Sequence, residues 1–226
     1  VPARERLVKY LRQLGVKEID NLIITHPHAD HLGGVAAIFD NFAVKQIYDS
    51  GQTTTTGLYR QYLQTVKKQK IPFTVVSPGM KIDLGGGAIL EILAPQKPLI
   101  QGTDGYLNNN SIVGKLVYGN FSMLLTGDIE REAEQRLVAK YKARLKSTVL
   151  KSPHHGSRTS STKAFLQAVS PEVTVISVGA HNDYKHPHSV VLNRYAALPT
   201  KVYRTDKDGT ITITTNGIDY KLVKEK

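Results

Sequence analysis

The segment His26-Pro27-His28-Ala29-Asp30-His31 packs three imidazoles and a carboxylate into six residues. It follows a short apolar run at 21–24 and precedes a helix-like stretch at 32–39, so its order is strand, loop, helix. That is the setting in which an α/β chain gathers functional side chains at the carboxyl end of a strand. The alternating pair His26 and His28 and the following pair Asp30 and His31 can turn two sets of ligands toward two adjacent ions. Imidazole nitrogen and carboxylate oxygen are the donors left to a chain without thiolate, and cysteine is absent here, which also excludes disulfides. Gly33 and Gly34 are expected to let the backbone turn tightly into the helix.

All eight histidines fall in three short segments: His26, His28 and His31; His154 and His155; His181, His186 and His188. A lone histidine is ordinarily a surface or satisfied core residue, whereas clusters at the ends of predicted strands point to a site. Asp128 follows the apolar run 121–125 directly and suits a bridging carboxylate. Taken alone, the same residue reads equally well as a helix N-cap before 129–141, and the histidine motif favours the metal role. In Leu150-Lys151-Ser152-Pro153-His154-His155-Gly156-Ser157-Arg158 two histidines stand after a strand and before a helix that Ser160 or Ser161 would cap. The start of that helix is expected to favour a phosphate, with Lys151 and Arg158 adding charge-assisted hydrogen bonds. Ser157 is not read as a nucleophile, because an activated water makes one unnecessary.

Periodicity predicts helices at 4–14, with Leu7, Leu11 and Leu14 on one face and a stop at Gly15, and at 57–70, 130–141, 161–169 and 189–197. Strands are expected at 45–48, 73–76, 89–93, 112–118, 121–125, 147–151 and 173–178, followed by three short ones, and 101–110 reads as an open loop. Two sheet regions with interspersed helices imply an αββα sandwich within the α/β class, built as a single domain over 1–226. A chain of 226 residues is long enough to bury its own core. No apolar run approaches the roughly 18 residues needed to cross a bilayer, and no signal segment opens the chain. A first residue of Val with a helix beginning almost at once suggests a fragment of a longer protein. The formal net charge of +11 favours a polyanionic partner, nucleic acid or an acidic membrane surface, against the plainer reading of a basic exterior. Arg60, Lys67, Lys68 and Lys70, interleaved with Tyr59 and Tyr62, could track a nucleic-acid strand by charge and stacking; the alternative places the tyrosines in the core.

These segments, with Asn108-Asn109-Asn110-Ser111, Leu125-Thr126-Gly127-Asp128 and the closing Val202-Tyr203-Arg204-Thr205-Asp206, resemble the metallo-β-lactamase superfamily. Within it the similarity is greatest to the carboxyl-terminal domain of ComEC-type DNA-internalisation competence proteins. The resemblance implies two divalent ions, Mn²⁺ or Zn²⁺, with His26 and His28 on one, Asp30 and His31 on the other, and Asp128 bridging. A further histidine at the second ion is His155 or His186. Where the superfamily supplies one more histidine, this chain has Asn108 to Ser111, and an asparagine there would ligate or position a water. The superfamily's opening strands are missing from the sequence. The implied mechanism has Asp30 orienting an activated water and His154 or His186 protonating the leaving oxygen. Asn110, Ser111, Lys151, Ser157 and Arg158 would contact the substrate. The implied activity is a metal-dependent nuclease that degrades one strand of DNA during uptake. Its partners would be single-stranded DNA and the transmembrane channel of its parent protein, at the extracytoplasmic face of a bacterial cell membrane. The alternative is a phosphodiesterase or esterase of small molecules such as phosphorylcholine esters.

Overall fold

Val8 and Leu11 lie three residues apart, and their side chains bind helix α1 (Ala3–Gln13) to Ile38 and Phe42. The apolar face is therefore shifted from the expected one, with Leu7 and Leu14 left exposed. Gly15, at φ 76°, closes the end, as expected of a glycine cap. The computed structural model describes residues 3–226, and the chain forms two compact units, Val1–Val76 and Ser77–Lys226.

After α1 the first unit continues through β1 (Glu18–Ile24), α2 (Ala29–Leu32), α3 (Val35–Asn41), β2 (Ala43–Asp49), α4 (Gly57–Gln69) and β3 (Phe73–Val75). Its three strands pair in chain order, all parallel, with Leu22 opposite Ile47 and Ile47 opposite Phe73. Ile24, Leu32, Val35, Phe39 and Ile47 form its core with Tyr59, Tyr62 and Val66 from α4. Thr56 caps α4 by accepting from the Tyr59 N–H, and Lys70 ends it in the left-handed conformation. Tyr62 stacks on Phe39, its ring centroid 6.3 Å away, and donates its hydroxyl to buried Asp49 at 3.2 Å. Burial drives the Asp49 carboxyl above its usual range, and burial together with the Asp49 charge does the same to the Tyr62 phenol. Both tyrosines are thus core residues and not stacking surfaces, because their positions on α4 face the sheet. Arg60, Lys67, Lys68 and Lys70 are exposed. Gly33 and Gly34 have φ of −65° and −81°, which any residue adopts, so neither supplies a special turn. What Gly33 provides is closeness, since a Cβ there would lie 2.5 Å from the Ala29 carbonyl oxygen.

The second unit comprises β4 (Lys81–Asp83), β5 (Ile89–Ala94), α5 (Tyr106–Asn109), β6 (Val113–Tyr118), β7 (Phe121–Leu125), α6 (Arg131–Tyr141), β8 (Val149–Lys151), α7 (Lys163–Val169), β9 (Val173–Ile176), α8 (Ser189–Ala196), β10 (Lys201–Arg204), α9 (Thr205–Asp208), β11 (Ile211–Thr215) and β12 (Tyr220–Lys224). Among the described residues it holds a seven-stranded sheet in the order β10-β9-β8-β7-β6-β5-β4 and an antiparallel hairpin of β11 and β12. The pairs from β10 to β7 are parallel and those from β7 to β4 antiparallel. Alternation along the strands sorts the two faces. Leu124, Leu150 and Ile176 pack on Leu137, Phe165, Leu166, Val191 and Tyr195 from α6, α7 and α8. Phe121, Val149 and Val173 pack on Ile213, Tyr220 and Leu222 of the hairpin. The expected elements are present, except that the helix expected over 32–39 is divided into α2 and α3, with α2 beginning inside the expected loop. Those not anticipated are three-residue β4, short α5 within the stretch read as open loop, α9, and single 3₁₀ turns at Lys142–Leu145 and Pro153–Gly156.

Helix α7 corrects two expectations. Its cap is Thr162, whose hydroxyl accepts from the Phe165 N–H, while Ser160 donates to the Ile129 carbonyl and Ser161 pairs with the Tyr195 hydroxyl. The amides of Ser161 and Thr162, where a phosphate was expected, donate to the two carboxyl oxygens of Glu134 at 2.5 and 2.8 Å. The chain's own acid fills the position an external anion would need.

Burial pushes the Glu134 carboxyl up to about 7, against the opposing pull of Thr162, Ser161 and the Arg194 charge. The native state therefore binds this proton more tightly than the unfolded chain. The associated stability is fully present below pH 4.5 and is lost as pH rises through about 7. In urea titrations, the stability of the wild type minus that of Glu134→Gln should fall by on the order of 3 kcal/mol between pH 4.5 and 8. A difference that stays constant with pH would contradict this assignment.

Candidate metal centre

In the first unit the chain leaves β1 at Ile24, runs extended through His28, and enters α2 at Ala29. The N–H groups of His31 and Leu32 both return to the His28 carbonyl, at 3.1 and 2.8 Å, so one helical turn sets Asp30 and His31 beside the strand end. The His26 ring, fully buried, lies 4.8 Å from that of His28 and 4.1 Å from that of His31. Asp30 stands exposed, its carboxylate 3.5 Å from His31 Nε2. Thr25 Oγ1 is 3.1 Å from His26 Nδ1 and 3.3 Å from His31 Nδ1. A hydroxyl oxygen has two lone pairs and can accept from both Nδ1–H groups, which would turn both Nε2 lone pairs toward a cation.

In the second unit the functional candidates sit in the connections after β7, β8 and β9, three parallel strands whose carboxyl ends open on one edge. Asp128, buried, has its N–H held by Ser111 Oγ at 3.2 Å and is not the cap of α6, a position Glu130 occupies. Its Oδ2 lies 3.2 Å from His155 Nε2, and its Oδ1 lies 3.9 Å from the Lys151 ammonium. His155 Nδ1 is 2.7 Å from the Ser177 carbonyl, an acceptor only, so Nδ1 carries the proton. In the neutral ring Nε2 is then a bare lone pair aimed at a carboxylate oxygen. Such a pair repels unless a second proton or a cation lies between them, and a histidine oriented by a carbonyl at its far nitrogen is the usual form of a metal ligand. The donor set fits a divalent ion.

His154 and His155 both adopt left-handed backbone conformations, with φ of 49° and 52°, and Gly156 follows at 81°. Consecutive residues of this kind are strained for side chains with a Cβ and survive only where the surroundings fix them. A Cβ on Gly156 would meet Pro187 Cβ at 2.5 Å. His154 Nδ1 lies 3.3 Å from Glu130 Oε1, and Glu130 also receives the Asn108 amide at 2.9 Å. Burial alone would raise the Glu130 carboxyl, but its hydrogen bonds to His154 and Asn108 hold it below the usual range. His186 packs against the rings of His154 and His188 at 5.6 and 4.9 Å. Burial and the neighbouring imidazoles push it down to about 4. Of the two candidates for the further ligand, His155 is the one in contact with Asp128. His181 is exposed.

The residues expected to touch substrate divide sharply. The Asn110 carboxamide is buried and donates to the Ile100 and Tyr106 carbonyls while accepting from the Ile100 N–H, which makes it an interior tie. Ser111 braces Asp128, and buried Ser157 pairs with Thr159 at 3.0 Å. Asn109 Oδ1 accepts from the N–H groups of Glu130 and Ala133, capping α6 from outside. Asn108 Oδ1 is buried with no hydrogen-bond partner among the described residues. Lys151 flanks Asp128, and Arg158 is exposed, its backbone N–H on His188 Nδ1. Sequence reasoning missed Thr25, Glu130 and the Ser177 carbonyl. Thr25 and Glu130 adjoin the motifs closely enough to have been flagged, and a backbone carbonyl leaves no signal in residue type.

Residues 2–181 match the metallo-beta-lactamase superfamily. The chain is 31% identical over 205 residues to ComE operon protein 3 of Bacillus subtilis, covering 91% of this chain and 26% of that protein. It is 34% identical over 209 residues to competence protein ComA of Neisseria gonorrhoeae, covering 92% and 27%. The chain thus spans about a quarter of the length of these relatives. The crystal structure of CmlA, a diiron β-hydroxylase from Streptomyces venezuelae, aligns with a TM-score of 0.52 at 13% identity, over 84% of this chain and 44% of that one. That likeness is one of fold, and a fold shared with a hydroxylase leaves the reaction to the site. On the extent of the sequence match, the chain belongs to the metallo-beta-lactamase superfamily.

Proposed function

We propose that this metal-dependent hydrolase is a nuclease that cleaves phosphodiester bonds of DNA, acting on one strand during DNA uptake. The observation that carries the metal chemistry is His155, pinned at Nδ1 by the Ser177 carbonyl with Nε2 against Asp128. DNA as substrate is supported by the net charge of +11 and by similarity to proteins named for competence. Following the family pattern, His26 and His28 would hold one ion, Asp30 and His31 the other, with Asp128 between them and His155 completing the second. Two divalent ions, Mn²⁺ or Zn²⁺, would supply Lewis acidity and activate a water when bound. Asp30 would orient the attacking water. His154, backed by Glu130, holds the proton destined for the leaving oxygen, with His186 beside it, and Lys151 and Arg158 hold substrate phosphate. On this reading the domain works at the extracytoplasmic face of a membrane as part of a larger protein. No helix among the described residues is long and apolar enough to cross a membrane itself.

End-labelled single- and double-stranded DNA incubated with Mn²⁺, Zn²⁺ or chelator should be cut only with metal. Asp128→Ala should lower the rate by at least about 100-fold, more than the loss of an outer-sphere partner. Cleavage that survives chelation would sink the metal mechanism, and hydrolysis confined to small phosphodiesters would replace the nuclease with a small-ester hydrolase. Salt gives an independent check. If about four phosphates are neutralised, affinity for single strands should drop roughly 50-fold between 50 and 200 mM salt; an affinity unmoved by salt would argue against a polyanionic substrate.

A further inference from the structure

The connection from β9 to α8 carries an aromatic surface that the mechanism above does not use. Asn182 knits this loop, donating to the Gly179 and His186 carbonyls at 3.0 and 2.8 Å and accepting from the His186 N–H at 2.8 Å. The His188 N–H binds the Gly156 carbonyl at 3.0 Å, and the Arg158 N–H binds His188 Nδ1 at 3.2 Å. The loop is thereby fastened to the turn that bears His154 and His155. On this frame Tyr184 is 76% exposed, whereas Tyr59, Tyr62, Tyr141 and Tyr195 are each at most 7% exposed. One face of the Tyr184 ring stacks on His186, with centroids 5.6 Å apart and planes 22° from parallel. His186 in turn meets His154 edge-on at 5.6 Å. The Tyr184 ring is therefore held one imidazole beyond the ring assigned to the leaving oxygen, and its outer face is in solvent.

An aromatic ring so supported offers a planar, sequence-tolerant contact to any nucleobase. We propose that Tyr184 is a stacking platform for the base of a nucleotide adjoining the scissile phosphate, and that it biases the site toward single strands. A base within a duplex has both faces covered by its neighbours, whereas an unpaired base can lie on the tyrosine. The inference rests on the nuclease reading.

The test is the affinity of the intact chain, without added metal, for a fluorescently labelled twelve-nucleotide single strand and for an abasic strand of equal length. Tyr184→Ala should weaken binding of the base-containing strand roughly 5- to 100-fold. Tyr184→Phe and Tyr184→Trp should retain it, and the abasic strand should bind wild type and Tyr184→Ala alike. A 2-aminopurine in the strand should be quenched by the wild type and not by Tyr184→Ala. Equal binding of the base-containing strand by wild type and Tyr184→Ala overturns the platform while leaving the nuclease reading intact. An equal loss on the abasic strand overturns it too, by showing that the loop and not the stack was damaged. If the wild type binds neither strand and cleaves none with metal, the nuclease reading itself fails and takes the platform with it.

Discussion

Parallel pairing of β7, β8 and β9 is the constraint on which the second unit depends. Parallel neighbours cannot be joined by a hairpin, so each strand must leave the sheet at the same edge and return through a helix. Three connections consequently begin side by side, one with Asp128, one with His154 and His155, and one with His186 and His188. The strands themselves are short, Val149 and Leu150 are completely buried, and of β8 only its last residue, Lys151, reaches the candidate site. The chemistry is placed where the ladder stops.

The turn after β8 shows how such a placement is maintained. Two histidines in the left-handed region would relax if the segment were loose. It is held instead by Ser152 N–H on the Val175 carbonyl, Ser157 N–H on the His154 carbonyl, and the Tyr195 hydroxyl on Ser152 Oγ at 2.9 Å. Tyr195 also binds Ser161, whose amide lies on Glu134, so the turn and the start of α7 share one buried polar network. Each polar atom named in this network has a protein partner, the condition under which a buried network rigidifies its surroundings.

How much of this was legible in the sequence depends on whether the deciding partner is local. The runs at 121–125 and 173–178 read as strands because apolar and β-branched residues dominate them, and the histidine segments were identifiable because residue type and spacing alone define them. β4 was not, since three residues with one buried position leave no periodic signal. The tyrosines of α4 remained ambiguous because a helical stripe of aromatics looks the same whether it meets a sheet or a ligand. The start of α7 was misread for a different reason. Serines ahead of an apolar run read locally as caps over open helix amides, whereas the cap is Thr162 and the amide of Ser161 is taken by Glu134, 27 residues away in sequence. Within the asparagine run read as a ligand substitute, Asn109 and Asn110 are engaged on α6 and on Ile100, while Asn108 Oδ1 has no hydrogen-bond partner among the described residues.

Three of the four acids between residues 128 and 134, Asp128, Glu130 and Glu134, show why partner and not residue type assigns a role. Asp128 faces the Nε2 of an imidazole whose other nitrogen is fixed, an arrangement that favours a cation between them. Glu130, half-buried, is held ionised by His154 and an amide, so it orients an imidazole and supports its charge. Glu134, on the next turn of the chain, meets the Ser161 and Thr162 amides in the core, and there burial outweighs its hydrogen bonds and the Arg194 charge and favours the neutral acid. The same carboxyl group is thus a ligand candidate, a positioning base and a structural clamp in turn. Depth alone does not order them, since Asp128 and Glu134 are both buried and Glu130 is half-buried; what each carboxyl does follows from the group it faces.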